Sequence, residues 1–182
     1  MNSAPADLDA ASACPPAHDE LTPSVFRAVM GRFATGVTVI TVGGERPHAM
    51  TANAFSSVSL EPPSVLCSVG RGAVMHGALT SAGRFAVNIL GAGQERLARH
   101  FADNDRSLAA QFDGVPCTAG RETGAPLLGG SLAWLECELT AAHAFGDHTV
   151  FIGTVLGTGR IADGRGLLFA DGRFGRPERD AD

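Results

Sequence analysis

The sequence predicts a mainly β fold: an antiparallel barrel with a few helices. Three observations lead there. β-branched and alternating runs recur, from Thr38-Val-Ile-Thr-Val42 to Leu135-Glu-Cys-Glu-Leu139. Turn formers are abundant, with 23 Gly and 10 Pro in 182 residues. Apolar runs also follow one another through turns, with too few helical segments between them for a βαβ fold.

Residues 1–20, rich in Ala, Ser, Pro and Asp, are expected to form a disordered tail. One domain is expected over 21–175 and a second tail over 176–182. Thr22 can cap a helix that has Pro23 in its first turn. Val25, Phe26, Val29, Met30 and Phe33 share one face of that helix, and Gly36 is expected to end it. Strands are then expected over 36–42 and 47–60, the second broken by a polar stretch. Glu61-Pro62-Pro63 must be a turn or an edge, and Ser64–Val69 is the next strand. A short helix over 73–81 stops at Gly83, and Arg84–Leu90 is strand. Gln94–Ala102 is helix, with Leu97 and Phe101 paired at i,i+4. Residues 103–130 read as irregular.

Leu135, Cys137 and Leu139 alternate with Glu136, Glu138 and Thr140, which predicts one buried and one wet face. Gly146-Asp147 is the turn into Thr149–Leu156, a central strand. A last short strand covers 167–169.

Composition excludes several classes of function. The net charge is −5 and all 14 basic residues are Arg, so no Lys is present for Schiff-base or Walker-type chemistry. An acidic domain with scattered Arg is a poor nucleic-acid ligand. No apolar run reaches the roughly 18 residues of a membrane span. The first basic residue is Arg27, which does not suit a signal peptide. Cys14, Cys67, Cys117 and Cys137 are isolated, so zinc and dithiol motifs are missing and a reducing cytoplasm is expected.

Three motifs fail on context. Gly157-Thr-Gly-Arg-Ile-Ala162 fits a dinucleotide pattern but lacks the downstream helix and strand. Gly129-Gly-Ser131-Leu-Ala133 fits a nucleophile elbow but runs into a strand. His143 and His148 have no third metal ligand nearby. The segment from Met50 to Pro63 carries more information. Its small residues let a planar ligand approach the backbone, and its hydroxyls and Asn53 amide offer directed hydrogen bonds. A Ser/Thr-rich turn is the plain alternative.

The ordered set of Met30-Gly-Arg-Phe-Ala-Thr-Gly-Val-Thr-Val39, Met50-Thr-Ala-Asn53, Ser57-Val-Ser-Leu60, Gly83-Arg-Phe-Ala-Val-Asn-Ile-Leu90, Gly124-Ala-Pro-Leu-Leu128, Leu132-Ala-Trp-Leu-Glu-Cys137, Gly146-Asp-His-Thr-Val-Phe-Ile-Gly153 and Gly172-Arg-Phe174 resembles the short-chain flavin reductases. These are NAD(P)H-dependent partners of two-component flavin monooxygenases. The resemblance spans about 22–175. It implies a Greek-key-like split β-barrel that binds FMN or FAD, usually as a homodimer.

By the same resemblance, Thr51, Ala52 and Asn53 line the flavin, and Ser57, Val58 and Ser59 continue that wall. Ser68, Val69, Arg71, Gly72 and Ala73 pass near its phosphate, while Phe85 and Asn88 complete the pocket. His148 lies where nicotinamide stacks, with Arg173 and Phe174 bordering that face. Many relatives carry Ser-x-Thr after the third strand. Here Ala73, Val74 and Met75 stand there, followed by His76. Phosphate binding then falls to backbone N–H groups at 72–74, the helix N-terminus, Arg71 and His76.

The implied activity is an NAD(P)H:flavin oxidoreductase of the EC 1.5.1 type. It passes hydride from NADH or NADPH to FMN or FAD and supplies diffusible reduced flavin to a separate monooxygenase. Two alternatives stay open: a flavin-binding protein without nicotinamide turnover, and a flavoenzyme that reduces another substrate directly.

Overall fold

Strands form wherever the sequence branches at Cβ or alternates, and the helices fill the gaps between them. The computed structural model describes residues 20–160 and 163–178. The expected tail at 1–20 lies outside the described residues except for Glu20, as do 179–182 of the C-terminal tail.

Helix α1 spans Pro23–Gly31, and the Thr22 hydroxyl accepts a hydrogen bond from the Val25 N–H at 3.2 Å. It ends at Gly31, not at Gly36. Thr35–Gly36 already pairs as strand β1, because its partner is a late segment invisible to local pattern. Then follow β2 (Thr38–Val42), β3 (His48–Ala52), β4 (Phe55–Leu60) and β5 (Pro63–Gly70). Helix α2 (Val74–Ala82) is stopped by Gly83 in the left-handed region, as expected. Next come β6 (Arg84–Ile89) and α3 (Glu95–Ala102).

The stretch that reads as irregular holds a two-stranded ribbon, β7 (Cys117–Ala119) with β8 (Pro126–Leu128). The long strands β9 (Ala133–Phe145) and β10 (His148–Arg160) precede β11 (Leu168–Ala170) and β12 (Arg173–Gly175).

Seven strands form one antiparallel sheet in the order β3-β2-β6-β9-β10-β5-β4, and β1-β11-β12 form a second. The outer strands of the large sheet, β3 and β4, are joined by Asn53 and Ala54 alone. A flat sheet of that width separates its edges by about 29 Å, whereas this link reaches about 11 Å. The sheet therefore curls strongly. The bond from the Ser68 N–H to the Ala54 carbonyl at 3.0 Å ties the link to β5.

One core cluster lies between the sheet and α2, built on Ile40, Val65, Cys67, Met75, Leu79, Phe85 and Phe151. A second packs α3 through Val37, Val39, Ala98, Phe101, Leu128 and Leu167. A Cβ on Gly43 would stand 2.5 Å from the Gly124 carbonyl oxygen, so the turn after β2 and the loop before β8 meet only through glycine.

Glu136 corrects the expected wet face of β9. It is 1% exposed, and its Oε1 accepts from the Glu122 N–H (3.0 Å), the Thr123 N–H (2.9 Å) and the Thr123 hydroxyl (2.8 Å). The loop before β8 folds over the strand and converts an outward carboxylate into a buried acceptor.

Candidate active site

The turn between β9 and β10 places His148 against the end of β5. Gly146, at φ 57°, supplies the left-handed residue of the turn. His148 opens β10 opposite Gly70, and the Arg71 N–H donates to the Asp147 carbonyl at 2.8 Å. The Nδ1 of His148 lies 2.8 Å from Oδ1 of Asp147. That hydrogen bond, aided by the histidine's charge, holds the Asp147 carboxyl below its usual range. An ionised carboxylate accepts the Nδ1 proton, which leaves Nε2 free for a ligand. A Cβ at Gly70 would come to 3.8 Å from Nε2, so a glycine faces that nitrogen.

Beside this turn stands the N-terminus of α2. Its N-cap, Ala73, offers no side-chain hydrogen bond, and no acidic residue sits in the first turn. The His76 N–H already donates to the Ala73 carbonyl at 3.0 Å, which leaves the Val74 and Met75 N–H groups of the first turn for an anion. A Cβ on Gly72 would meet nothing within 4 Å, and Arg71 is exposed next to it. A phosphate suits this donor set. The sequence-expected His76 is nearby but engaged: its Nε2 lies 2.9 Å from the Thr149 hydroxyl, and its ring meets Phe151 edge-on at 5.2 Å.

Asn53 is exposed and donates to the Thr35 hydroxyl at 3.2 Å; with Ala52 it sits at the link that brings β3 to β4. The Thr51 hydroxyl donates to the Ala98 carbonyl at 2.7 Å and so secures α3. Ser57 and Val58 are exposed on the edge strand β4, and the Ser59 hydroxyl accepts from the Glu61 N–H at 3.1 Å. Ser68 and Val69 pair with Val150 and Thr149, next to His148.

Two expected pocket residues are buried in the single chain. Phe85 is 1% exposed inside the α2 core cluster. Asn88 is fully buried. Its Oδ1 accepts from the Leu128 N–H at 2.8 Å, and its Nδ2 donates to the Val39 carbonyl at 3.2 Å. Its amide therefore holds β2, β6 and β8 together. Phe174 also packs elsewhere, 5.2 Å from the Phe169 ring with Arg99 stacked over it at 4.9 Å, while Arg173 is exposed.

Asp147 is the functional candidate that residue-by-residue selection missed. Its signal was its place between Gly146 and His148. Among the described residues no cluster of His, Cys, Asp and Glu could hold a metal ion. The Gly157–Ala162 pattern is β10 strand up to Arg160, with 161–162 outside the described residues, and Ser131 is buried before β9 rather than raised on an elbow.

A curled antiparallel sheet, an uncapped helix N-terminus and a paired histidine beside it define a small protein built to hold an anionic cofactor. The chain belongs to the flavin reductase family: the model for the flavin reductase like domain matches residues 30–178. It is 52% identical to an NADH-dependent FAD reductase of Streptomyces globisporus, over 86% of this chain and 87% of that protein. It is 43% identical to the FMN reductase (NADH) SmoA of Agrobacterium fabrum, over 85% and 86%. Among solved structures, the NADH:FAD oxidoreductase SgcE6 of Streptomyces globisporus superimposes with a TM-score of 0.85 at 48% identity, covering 91% of this chain and all of that one. BorF, the flavin reductase component of a bacterial two-component tryptophan halogenase, gives 0.82 at 45% identity, covering 86% and 99%.

Proposed function

We propose that this chain is an NADH-dependent flavin reductase of the EC 1.5.1 class. It reduces FAD or FMN and supplies the reduced flavin, by diffusion, to a separate monooxygenase or halogenase component. The observation that carries this reading is the Asp147–His148 pair held against Gly70, one turn from the uncapped N-terminus of α2. Relatives described as NADH-dependent FAD and FMN reductases, and as reductase subunits of flavin-dependent monooxygenases, support it.

Bound flavin and nicotinamide supply the hydride chemistry between them. The protein's part is to orient and to exclude. The Gly72 and Val74 N–H groups and Arg71 receive the flavin phosphate, the Ala73 N–H being held by the Gly70 carbonyl at 3.0 Å. Asn53, Ala52, Ser68 and the edge residues Ser57–Ser59 form the ring wall. His148 fixes the nicotinamide carboxamide through Nε2, because Asp147 occupies Nδ1. No strong acid or base is required.

The curled sheet is read as the split barrel, and the protein as a cytoplasmic homodimer. Phe26 (58% exposed), Val29 and Met30 on α1, with Phe33 just beyond its end, form an apolar face that nothing among the described residues covers, which suits burial against a second copy. Among the described residues, no helix is long and apolar enough to cross a membrane.

The test is NADH oxidation by purified protein with and without added FAD or FMN. Turnover that depends on added flavin, by protein purified without colour, supports the reading. Tightly bound flavin with direct reduction of another acceptor favours the flavoenzyme alternative.

A further inference from the structure

A groove of about 760 Å³ runs along the side of α2, within the size range of small-molecule sites. Its helix wall is Val74, Gly77, Ala78 and Ser81, spaced i, i+3, i+4, i+7 on one face. That wall is about 10 Å long at the helical rise. A Cβ on Gly77 would meet nothing within 4 Å, so the groove reaches the helix backbone there. Leu108 and Phe112 form the apolar wall opposite.

The polar end of the groove is formed by Glu45, Arg46 and His48, the last only 6% exposed. Burial, then the Arg106 charge, lowers the His48 pKa against the opposing pull of the Gln111 side chain, so the neutral ring carries one donor and one acceptor nitrogen. Its neighbour Gln111 is already committed. Gln111 Oε1 accepts from the Ala49 N–H (3.1 Å), and Nε2 donates to the Pro47 (3.1 Å) and Leu108 (2.9 Å) carbonyls. With one ring nitrogen toward Gln111, the other is left to supply a directed hydrogen bond.

We propose that this groove holds the adenosine monophosphate half of a dinucleotide, its base lying between the small residues of α2 and Phe112 and its edge meeting His48. Val74 belongs both to the groove and to the uncapped first turn of α2. A flavin whose phosphate lies at that turn continues into the groove only if it carries an AMP half. FAD is therefore the favoured source, and the adenosine of NADH the other. The inference rests on the flavin site described above and extends it to selection of FAD over FMN.

Gly77→Leu fills the groove from open space and replaces glycine by a better helix former. The expected result is a KM for FAD raised about tenfold, with the KM for FMN changed less than about twofold. His48→Phe should shift FAD in the same direction. A raised KM for NADH, measured with FMN as acceptor, assigns the groove to the NADH adenosine and keeps the shared chemistry. Equilibrium dialysis with AMP alone gives a readout independent of turnover: the native protein binds it, and Gly77→Leu weakens it about tenfold. Equal loss for FAD and FMN, or no AMP binding, overturns the inference and leaves the reductase reading standing. Absence of flavin-dependent NADH oxidation by the native protein overturns that reading instead, and dialysis still decides the groove.

Discussion

The Nδ1 of His148 and the Oδ1 of Asp147 lie 2.8 Å apart, in adjacent residues at the turn that opens β10. The pair gives the imidazole one orientation and leaves Nε2 for a ligand. His148→Ala should slow NADH oxidation roughly tenfold or more, the scale of a lost orienting contact, while flavin affinity stays nearly intact. Asp147→Asn should raise the KM for NADH and alter the pH profile. The Asp147 carboxyl is held below its ordinary value by His148, so in the native protein the pair persists as pH falls through the ordinary carboxylate range and fails only below it. Steady-state kinetics from about pH 3 to 6, a window that crosses the ordinary carboxylate range, check this. Unchanged turnover in His148→Ala would remove the assigned role.

Asn88 separates structural from ligand-binding asparagines. Its amide links Leu128, Val39 and β6 from a fully buried position. Asn88→Ala should lower unfolding free energy by about 2 kcal/mol, because the freed Leu128 N–H and Val39 carbonyl stay buried. Flavin KM per folded molecule should not move. Denaturant unfolding and kinetics on the same preparation distinguish this from a pocket role.

His48 gives stability a pH dependence of predictable sign. Its native pKa lies below the unfolded value of 6.5. Between the two values the unfolded chain binds the extra proton, so stability is full above pH 6.5 and falls as pH drops through that window. Thermal unfolding from pH 7.5 down to about 5 should show the decline, and His48→Gln should flatten it. An unchanged slope in the variant would assign the effect to other groups.

Cys67 and Cys137 lie in the α2 core cluster, and burial pushes both thiols up to about 12. Neither should react with a thiol reagent at neutral pH in the native protein, whereas Cys117 is exposed and should. Mass mapping of the labelled sites checks this. Native-state labelling at Cys67 or Cys137 would show that the core opens.

Local chemistry made two helix boundaries legible. Thr22 caps α1 through its hydroxyl, and Gly83 stops α2 with positive φ, both read from residue type alone. The β9–β10 turn was equally plain from Gly146-Asp147. What escaped the sequence depends on distant chain. Period-2 alternation marks Glu136 as wet, until the 120–125 loop brings two N–H groups and a hydroxyl to it. Family resemblance places Asn88 at the ligand, and its hydrogen bonds to Val39 and Leu128 escape local pattern because those partners are about 40 or more residues away. The groove beside α2 is assembled from three separate segments, none with a motif of its own.

The central claim is tested most directly by a matrix of NADH and NADPH against FAD, FMN and riboflavin, read as nucleotide oxidation. The expected result is oxidation of NADH that requires added flavin, with FAD the preferred acceptor. No flavin-dependent oxidation of either nucleotide, in any column of that matrix, would contradict the assignment.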